Sequence, residues 1–199
     1  MEPLEIEVKF PVADAPALRE KITASGAVST GRHFEVNVLF DDAAGSLRRA
    51  DCLLRLRQDA RTTLTFKSTS EERDRQFKIH REREVRVSDF DSMEQILSSL
   101  GFHRRQVYEK WRETFRLDET VLCLDQMPFG DYLEIEGPKA AIRRVASNLG
   151  LNWNRRIIRN YLEMFSLLRD HLQLPFTDIT FQNFENVTVR IDNAKLFRR

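Results

Sequence analysis

Seven glycines in 199 residues leave little from which to build a phosphate-cradling loop, and neither a P-loop nor a dinucleotide turn is present. Nor is there a Ser-His-Asp arrangement. The two cysteines, Cys52 and Cys123, have neither metal-ligand spacing nor a disulfide framework. The opening Met-Glu-Pro-Leu-Glu lacks the basic-then-apolar layout of a signal peptide, so the expected setting is the reducing cytoplasm. Long apolar runs are missing as well. The longest periodic stretch is interrupted by Arg169, Asp170 and His171, which excludes a bilayer-spanning helix. Charge of one sign is not in excess, with 32 Lys and Arg against 31 Asp and Glu. A general nucleic-acid or anionic-membrane binder is therefore not expected, and any charge selectivity must be local. His33, His80, His103 and His171 are scattered without ligand spacing. Trp111 and Trp153 read as wall packing rather than as platforms for a base.

What the chain does have is alternation. Apolar and polar residues alternate with period 2 over 4–10, 34–41, 53–57, 63–67, 82–87, 109–115, 121–125 and 132–136, which predicts eight strands. Helical patterns fall at about 14–25, 91–100 and 140–149, each followed by a glycine (Gly26, Gly101, Gly150). A longer helix is expected over about 154–172, with Ile157, Ile158, Tyr161, Leu162, Phe165 and Leu168 on one stripe. Glu5-Ile6-Glu7-Val8-Lys9 is echoed by Glu82-Arg83-Glu84-Val85-Arg86 and, more faintly, by Glu134-Ile135-Glu136, each leading to a helix and a glycine. Residues 68–81 read as a mobile loop whose Arg73, Arg75, Lys78 and Arg81 make a basic lid one alternative, a solvated basic loop the other. The pattern bounds one domain over 1–175. The tail, 176–199, has alternating Phe181, Val187, Val189 and Ile191 but no evident place.

Nearly every strand has one charged and one apolar face. Glu5, Glu7 and Lys9 oppose Ile6, Val8 and Phe10; Arg55 and Arg57 oppose Leu54 and Leu56; Thr65 and Lys67 oppose Leu64 and Phe66. Lys110 and Arg112 oppose Trp111, Asp125 opposes Leu122 and Leu124, and Glu134 and Glu136 oppose Leu133 and Ile135. An open sheet with solvated outer charges would fit any single strand. Repetition across six favours an α+β fold: a closed eight-stranded antiparallel β-barrel, apolar outside under packed helices and charged within.

The charges are also sorted. Glu-x-Glu pairs present adjacent oxygens to a hard cation, whereas Arg-x-Arg and Lys-x-Arg pairs suit phosphate oxygens. A polyphosphate carrying Mg²⁺ or Mn²⁺ satisfies both. A pure anion-binding module has little use for the acids, and an oligonucleotide-binding barrel sits poorly with so many of them inside.

Glu5-x-Glu7-x-Lys9 resembles the ExExK signature of the CYTH family, the triphosphate tunnel metalloenzymes. In family order follow Leu54-Arg55-Leu56-Arg57, Leu64-Thr65-Phe66-Lys67, Glu82-Arg83-Glu84-Val85, Glu109-Lys110-Trp111-Arg112, and Asp125 through Gly130-Asp131-Tyr132-Leu133-Glu134-Ile135-Glu136. The resemblance implies a metal-dependent enzyme acting on a triphosphate small molecule. Glu5, Glu7, Glu134 and Glu136 would be metal ligands. Lys9, Arg55, Arg57, Lys67, Lys110 and Arg112 would hold phosphates, and Glu84, Asp125 and Lys9 are the candidate catalytic residues. Tyr161 matches a tyrosine common in such proteins. Inorganic triphosphatase, thiamine triphosphatase and class IV adenylyl cyclase are the implied activities, with a homodimer left open. Two departures stand out: Lys67 is followed by Ser68-Thr69 rather than Gly-Pro, and Asn37 stands where cyclase-like members carry Asp.

Overall fold

The computed structural model describes residues 4–72, 74–189 and 193–197. Eight strands form β1 (Leu4–Val12), β2 (Val28–Asp41), β3 (Leu53–Gln58), β4 (Thr62–Thr69), β5 (Lys78–Val87), β6 (His103–Leu117), β7 (Thr120–Met127) and β8 (Gly130–Glu136). They close into a barrel in the order β1-β5-β4-β3-β2-β6-β7-β8, every neighbouring pair antiparallel. The eight expected strands are all there. Closure gives every strand a neighbour on both sides.

The apolar faces turn outward, as the alternation requires. Val8, Phe10, Leu122, Leu133 and Ile135 pack beneath α1 (Ala15–Ala24) and α4 (Lys139–Asn148) through Leu18, Ile22, Ile142 and Val145. On another side Val38, Phe40 and Leu56 meet Leu97 of α3 (Phe90–Ser99). Asp14 and Asp89 cap α1 and α3 by accepting from the backbone amides of Ala17 and Ser92. A four-residue helix, α2 (Ser46–Arg49), follows β2, its amides at Leu47 and Arg48 donating to the Asp41 carboxylate.

The helix expected over about 154–172 is shorter. Trp153–Arg155 is a single 3₁₀ turn, and α5 spans Tyr161–Leu172. Two physical causes set this boundary. Asn160 and Glu163 form a capping box that fixes the helix start. Ahead of it, β5 begins at Lys78, opposite Glu7, which leaves Lys9 without a strand partner on that edge. Ile157 fills the gap: its amide donates to the Lys9 carbonyl (2.7 Å) and the Lys9 amide donates back (2.9 Å).

The tail does the same for β6, which pairs with β7 only from Trp111 onward. Ile179 accepts from the Glu109 amide (2.9 Å) and donates to the Val107 carbonyl (2.8 Å). Short helices follow at Phe181–Phe184 (α6) and Asn193–Leu196 (α7). Phe184 and Phe197 are buried with Phe129, Tyr132, Tyr161, Met164 and Phe165. Residue 191, read as part of the tail's alternation, lies outside the described residues.

The segment read as a mobile loop is mostly strand and anchored turn. Lys139 of α4 pairs with Glu72 (2.7 Å) and Asp74 (2.8 Å), Gln76 accepts from Trp153 (3.3 Å), and Phe77 is buried. Of the residues offered as a basic lid, Lys78 instead belongs to β5 and pairs with Glu7 (2.7 Å), and residue 73 lies outside the described residues. One glycine is forced: Gly137, just past β8, has φ +147°, and a Cβ there would lie 2.8 Å from the Glu119 carbonyl oxygen.

Candidate active site: a tunnel with an acid wall and a cation wall

Barrel order turns the sequence repeat into a site. The three strands carrying Glu-x-Glu, β8, β1 and β5, are adjacent and include Lys9 and Lys78, whereas β3, β4 and β6 carry the other inward bases elsewhere on the ring. The inward faces line a cavity of about 1160 Å³ to which Glu5, Glu7, Lys9, Arg55, Arg57, Lys67, Glu84, Lys110, Arg112, Glu134 and Glu136 all contribute. Asp125 does not reach it: it is fully buried behind the cations. At one end the inward positions become apolar (Leu39, Tyr108, Met127, Tyr132), and α5 packs against them. That placement explains the helix stripe.

Cross-strand register makes the ion pairs. Lys9, opposite Glu134, lies between Glu134 (2.9 Å) and Glu7 (2.8 Å). Lys67, opposite Glu82, lies between Glu82 (2.6 Å) and Glu5 (2.5 Å). Arg112, opposite Asp125, grips it with two bonds (2.6 and 2.5 Å) and also donates to Glu134. Asp125 further accepts from Lys110 (3.2 Å) and from the Tyr161 hydroxyl (2.8 Å). The Tyr161 ring lies under both ammoniums, 5.2 Å from Lys9 and 5.4 Å from Lys110. Arg55 donates to the Tyr108 hydroxyl (3.0 Å) and Thr65 (3.2 Å), while its buried Nε has no hydrogen-bond partner among the described residues. Glu84 stands apart from the other acids, at the rim, accepting from Thr65 (3.1 Å) and 3.5 Å from Arg57.

The electrostatics differ across the tunnel. Burial opposes ionisation of Asp125, yet Arg112 and Lys110 hold its carboxyl at about 2. Burial likewise opposes Glu134, but Lys9 and Arg112 keep it well below the usual carboxylate range. Lys9 is the converse case: burial disfavours its charge, and Glu134 with Glu7 keeps it an ammonium. The outer acids are less well compensated. Burial and then the adjacent Glu7 push Glu5 up to about 7, and the same two causes raise Glu136. Among the described residues no ammonium or guanidinium lies within 4.0 Å of Glu136. Glu136 and the raised Glu5 adjoin Glu7 and Glu134, whose charge is balanced by Lys9, Lys78 and Arg112, and the four carboxylates together are a donor set that a hard divalent cation fits. The unpartnered Arg55 Nε marks the opposite demand, for an anion.

Sequence reasoning missed several inward-facing residues. Lys78, His80 and Glu82 share the inward face of β5 with Glu84, a period-2 extension of the quoted pair. Glu35, 1% exposed, shares the inward face of β2 with Asn37, marked in the sequence only by one acid between Phe34 and Val36. His33, Glu35 and Asp59 bring ligand atoms within 4.8 Å of one another, a second cluster capable of holding a metal.

Fold and site together define a closed antiparallel tunnel with opposed charged walls. The CYTH domain model matches residues 3–148, and the chain belongs to this family. A Methanocaldococcus jannaschii protein named a putative adenylate cyclase, MJ0240, is 24% identical over 176 residues, 82% of this chain and 99% of its own length. The structure of PH1012 from Pyrococcus horikoshii is similar with a TM-score of 0.69 and 28% identity, covering 80% of this chain and 98% of its own. A Hippeastrum structure, described as a putative adenylyl cyclase revealing a dominant triphosphatase activity, shares the fold with a TM-score of 0.58 at 20% identity. It covers 86% of this chain and 96% of its own. Among the described residues no helix is long and apolar enough to cross a membrane.

Proposed function

We propose that the chain is a divalent-metal-dependent triphosphatase that hydrolyses inorganic triphosphate, or a small organic triphosphate such as thiamine triphosphate, inside the charged tunnel. The observation that carries this reading is the opposition of the two walls: carboxylates gathered on β8, β1 and β5, with Glu5 and Glu136 raised by burial and by Glu7, and arginines and lysines on β3, β4 and β6. Glu5, Glu7, Glu134 and Glu136 would hold Mg²⁺ or Mn²⁺, whose chemistry is to neutralise phosphate oxygens and acidify a water.

The chain's own residues supply the rest. Lys9, Arg55, Arg57, Lys67, Lys110 and Arg112 bind phosphate oxygens and so fix the chain in the bore. Lys9 remains charged, so it neutralises rather than accepting a proton. Asp125 and Tyr161 orient Arg112 and Lys110 from behind, and Glu84 steadies Arg57 at the rim. Cleaving a phosphoanhydride asks for this kind of positioning and charge neutralisation more than for covalent chemistry.

A second reading, class IV adenylyl cyclase, is favoured by the name of the Methanocaldococcus jannaschii relative. It would require the ribose hydroxyl held in line and the adenine recognised. The cytoplasm and no nucleic-acid or membrane partner complete the proposal, with a homodimer left open. Incubating the protein with Mg²⁺ or Mn²⁺ and, separately, inorganic triphosphate, thiamine triphosphate and ATP tests it. Phosphate release that EDTA abolishes and added metal restores is the expected result. Cyclic AMP with pyrophosphate would transfer the reading to the cyclase, and no product from any of the three would leave a binding module.

A further inference from the structure

The cation wall contains a buried carboxylate. Glu35 lies opposite Lys110 in the β2–β6 register and is 1% exposed. Four groups converge on it: His33 Nε2 at 3.1 Å and Arg57 Nη1 at 3.9 Å on one oxygen, Asn37 Nδ2 at 3.4 Å and Lys110 Nζ at 3.5 Å on the other. Asp59 stands beside the same groups, 3.4 Å from Arg57 Nε and 3.8 Å from His33. The spacing of His33, Glu35 and Asp59 would suit a metal, but the positive charge there is already supplied by Arg57 and Lys110. The cluster therefore reads as a cradle for two of the cations that face the bore.

Lys110 shows what the cradle does. Its ammonium sits between two acids, 3.2 Å from Asp125 and 3.5 Å from Glu35. Neither contact has closed to the roughly 2.7–2.9 Å of an optimised charge-assisted bond. Balanced between opposing carboxylates, the ammonium is kept from collapsing onto Asp125, which is already held by Arg112 and Tyr161.

We propose that Glu35 is a positioning residue of the tunnel: it suspends Lys110 and Arg57 at the height where they meet phosphate oxygens. The proposal rests on the reading of the tunnel as a triphosphate site. Its consequence has a definite sign. Glu35 competes with phosphate for the same cations in the free protein, so removing its charge strengthens ground-state binding. The same removal lets Lys110 fall toward Asp125 and away from the position that serves the reaction.

Glu35→Gln keeps the size of the side chain and removes the charge. With Mg²⁺ and inorganic triphosphate, the variant should show KM lower by about 3–10-fold and kcat lower by about 10–100-fold, the pairing expected when ground-state competition and transition-state alignment are lost together. Glu35→Asp, which restores the charge one methylene further back, should recover much of kcat. Glu113→Gln, on the outer face and paired with Arg19, is the control and should leave both constants unchanged. Unchanged constants in Glu35→Gln would overturn the proposal, as would a raised KM or a kcat that Asp fails to restore. Should Glu35→Gln not fold, Glu35→Asp decides: a kcat below wild type but within about tenfold of it, with KM unchanged, supports the role, and a kcat equal to wild type overturns it. A wild-type protein that neither binds nor cleaves triphosphate would defeat the functional reading itself, whereas wild-type turnover with unaltered Glu35→Gln kinetics defeats only this assignment.

Discussion

Glu134→Gln should lower Mg²⁺-dependent triphosphate turnover about a hundred- to a thousandfold, the scale lost when one preorganised electrostatic group is removed from a transition-state site. Glu134 is the hinge between the walls: one oxygen meets Lys9 at 2.9 Å and the other meets Arg112. Gln preserves the shape and an acceptor oxygen but no longer neutralises either cation or contributes to a metal site. The barrel should survive, because Lys9 retains Glu7 and Arg112 retains Asp125. A circular dichroism spectrum matching wild type, together with lost turnover and a raised Mg²⁺ requirement, is the expected combination. Undiminished activity would remove Glu134 from the metal-site assignment.

Arg112→Leu should be the most destabilising of the tunnel changes. The guanidinium makes two bonds to a carboxylate that is 0% exposed, and breaking a buried pair from one side costs about 3–5 kcal/mol because the other charge stays behind. Lys110 and the Tyr161 hydroxyl remain on Asp125 and should keep the loss toward the lower part of that range. Arg19→Leu, whose guanidinium is 51% exposed on the outer surface, should cost far less, because solvent screens that pair. Urea midpoints of the two variants measure the contrast. The pH dependence has a set sign. Asp125 has a folded-state pKa of about 2, depressed from 3.8, so its stabilising contribution is present above the unfolded value and lost as pH falls toward 2. The gap between Arg112→Leu and wild type should therefore narrow across that window. Equal urea midpoints for Arg112→Leu and Arg19→Leu would contradict the buried pairing.

Much of this arrangement was legible in the chain because a strand's faces follow from period 2. Every strand was marked by alternation, and the inward set on β1, β3, β4, β6 and β8 followed from parity alone. Strand lengths were less legible. β2 begins at Val28, ahead of the expected 34, through the polar run Ser29-Thr30-Gly31-Arg32, where the register shifts and no alternation survives. β6 begins at His103 for the same reason: His103, Arg104 and Arg105 carry no apolar face, and their pairing comes from β2.

Order around the ring was not legible either, being a property of long-range pairing. The adjacency of β1 and β5, which pairs Glu7 with Lys78 across a separation of 71 residues, could not be read from either segment. Yet that adjacency gathers the three Glu-x-Glu strands into one wall. The long C-terminal helix was overextended because Ile157 and Ile158 satisfy a helical stripe, although backbone pairing to Lys9 claims Ile157 first. Asp125 illustrates the limit for function: the family resemblance marked it as a site residue, but only packing shows that it stands behind Arg112 and Lys110 rather than in the bore.

The division of the tunnel into an acid wall and a cation wall is tested most directly by a crystal structure with Mn²⁺ and inorganic triphosphate, with Mn²⁺ located by its anomalous scattering. The account predicts an anomalous peak among Glu5, Glu7, Glu134 and Glu136, with phosphate oxygens on Arg55, Arg57, Lys67, Lys110 and Arg112. A peak at His33, Glu35 and Asp59 instead, or triphosphate bound outside the barrel, would contradict it.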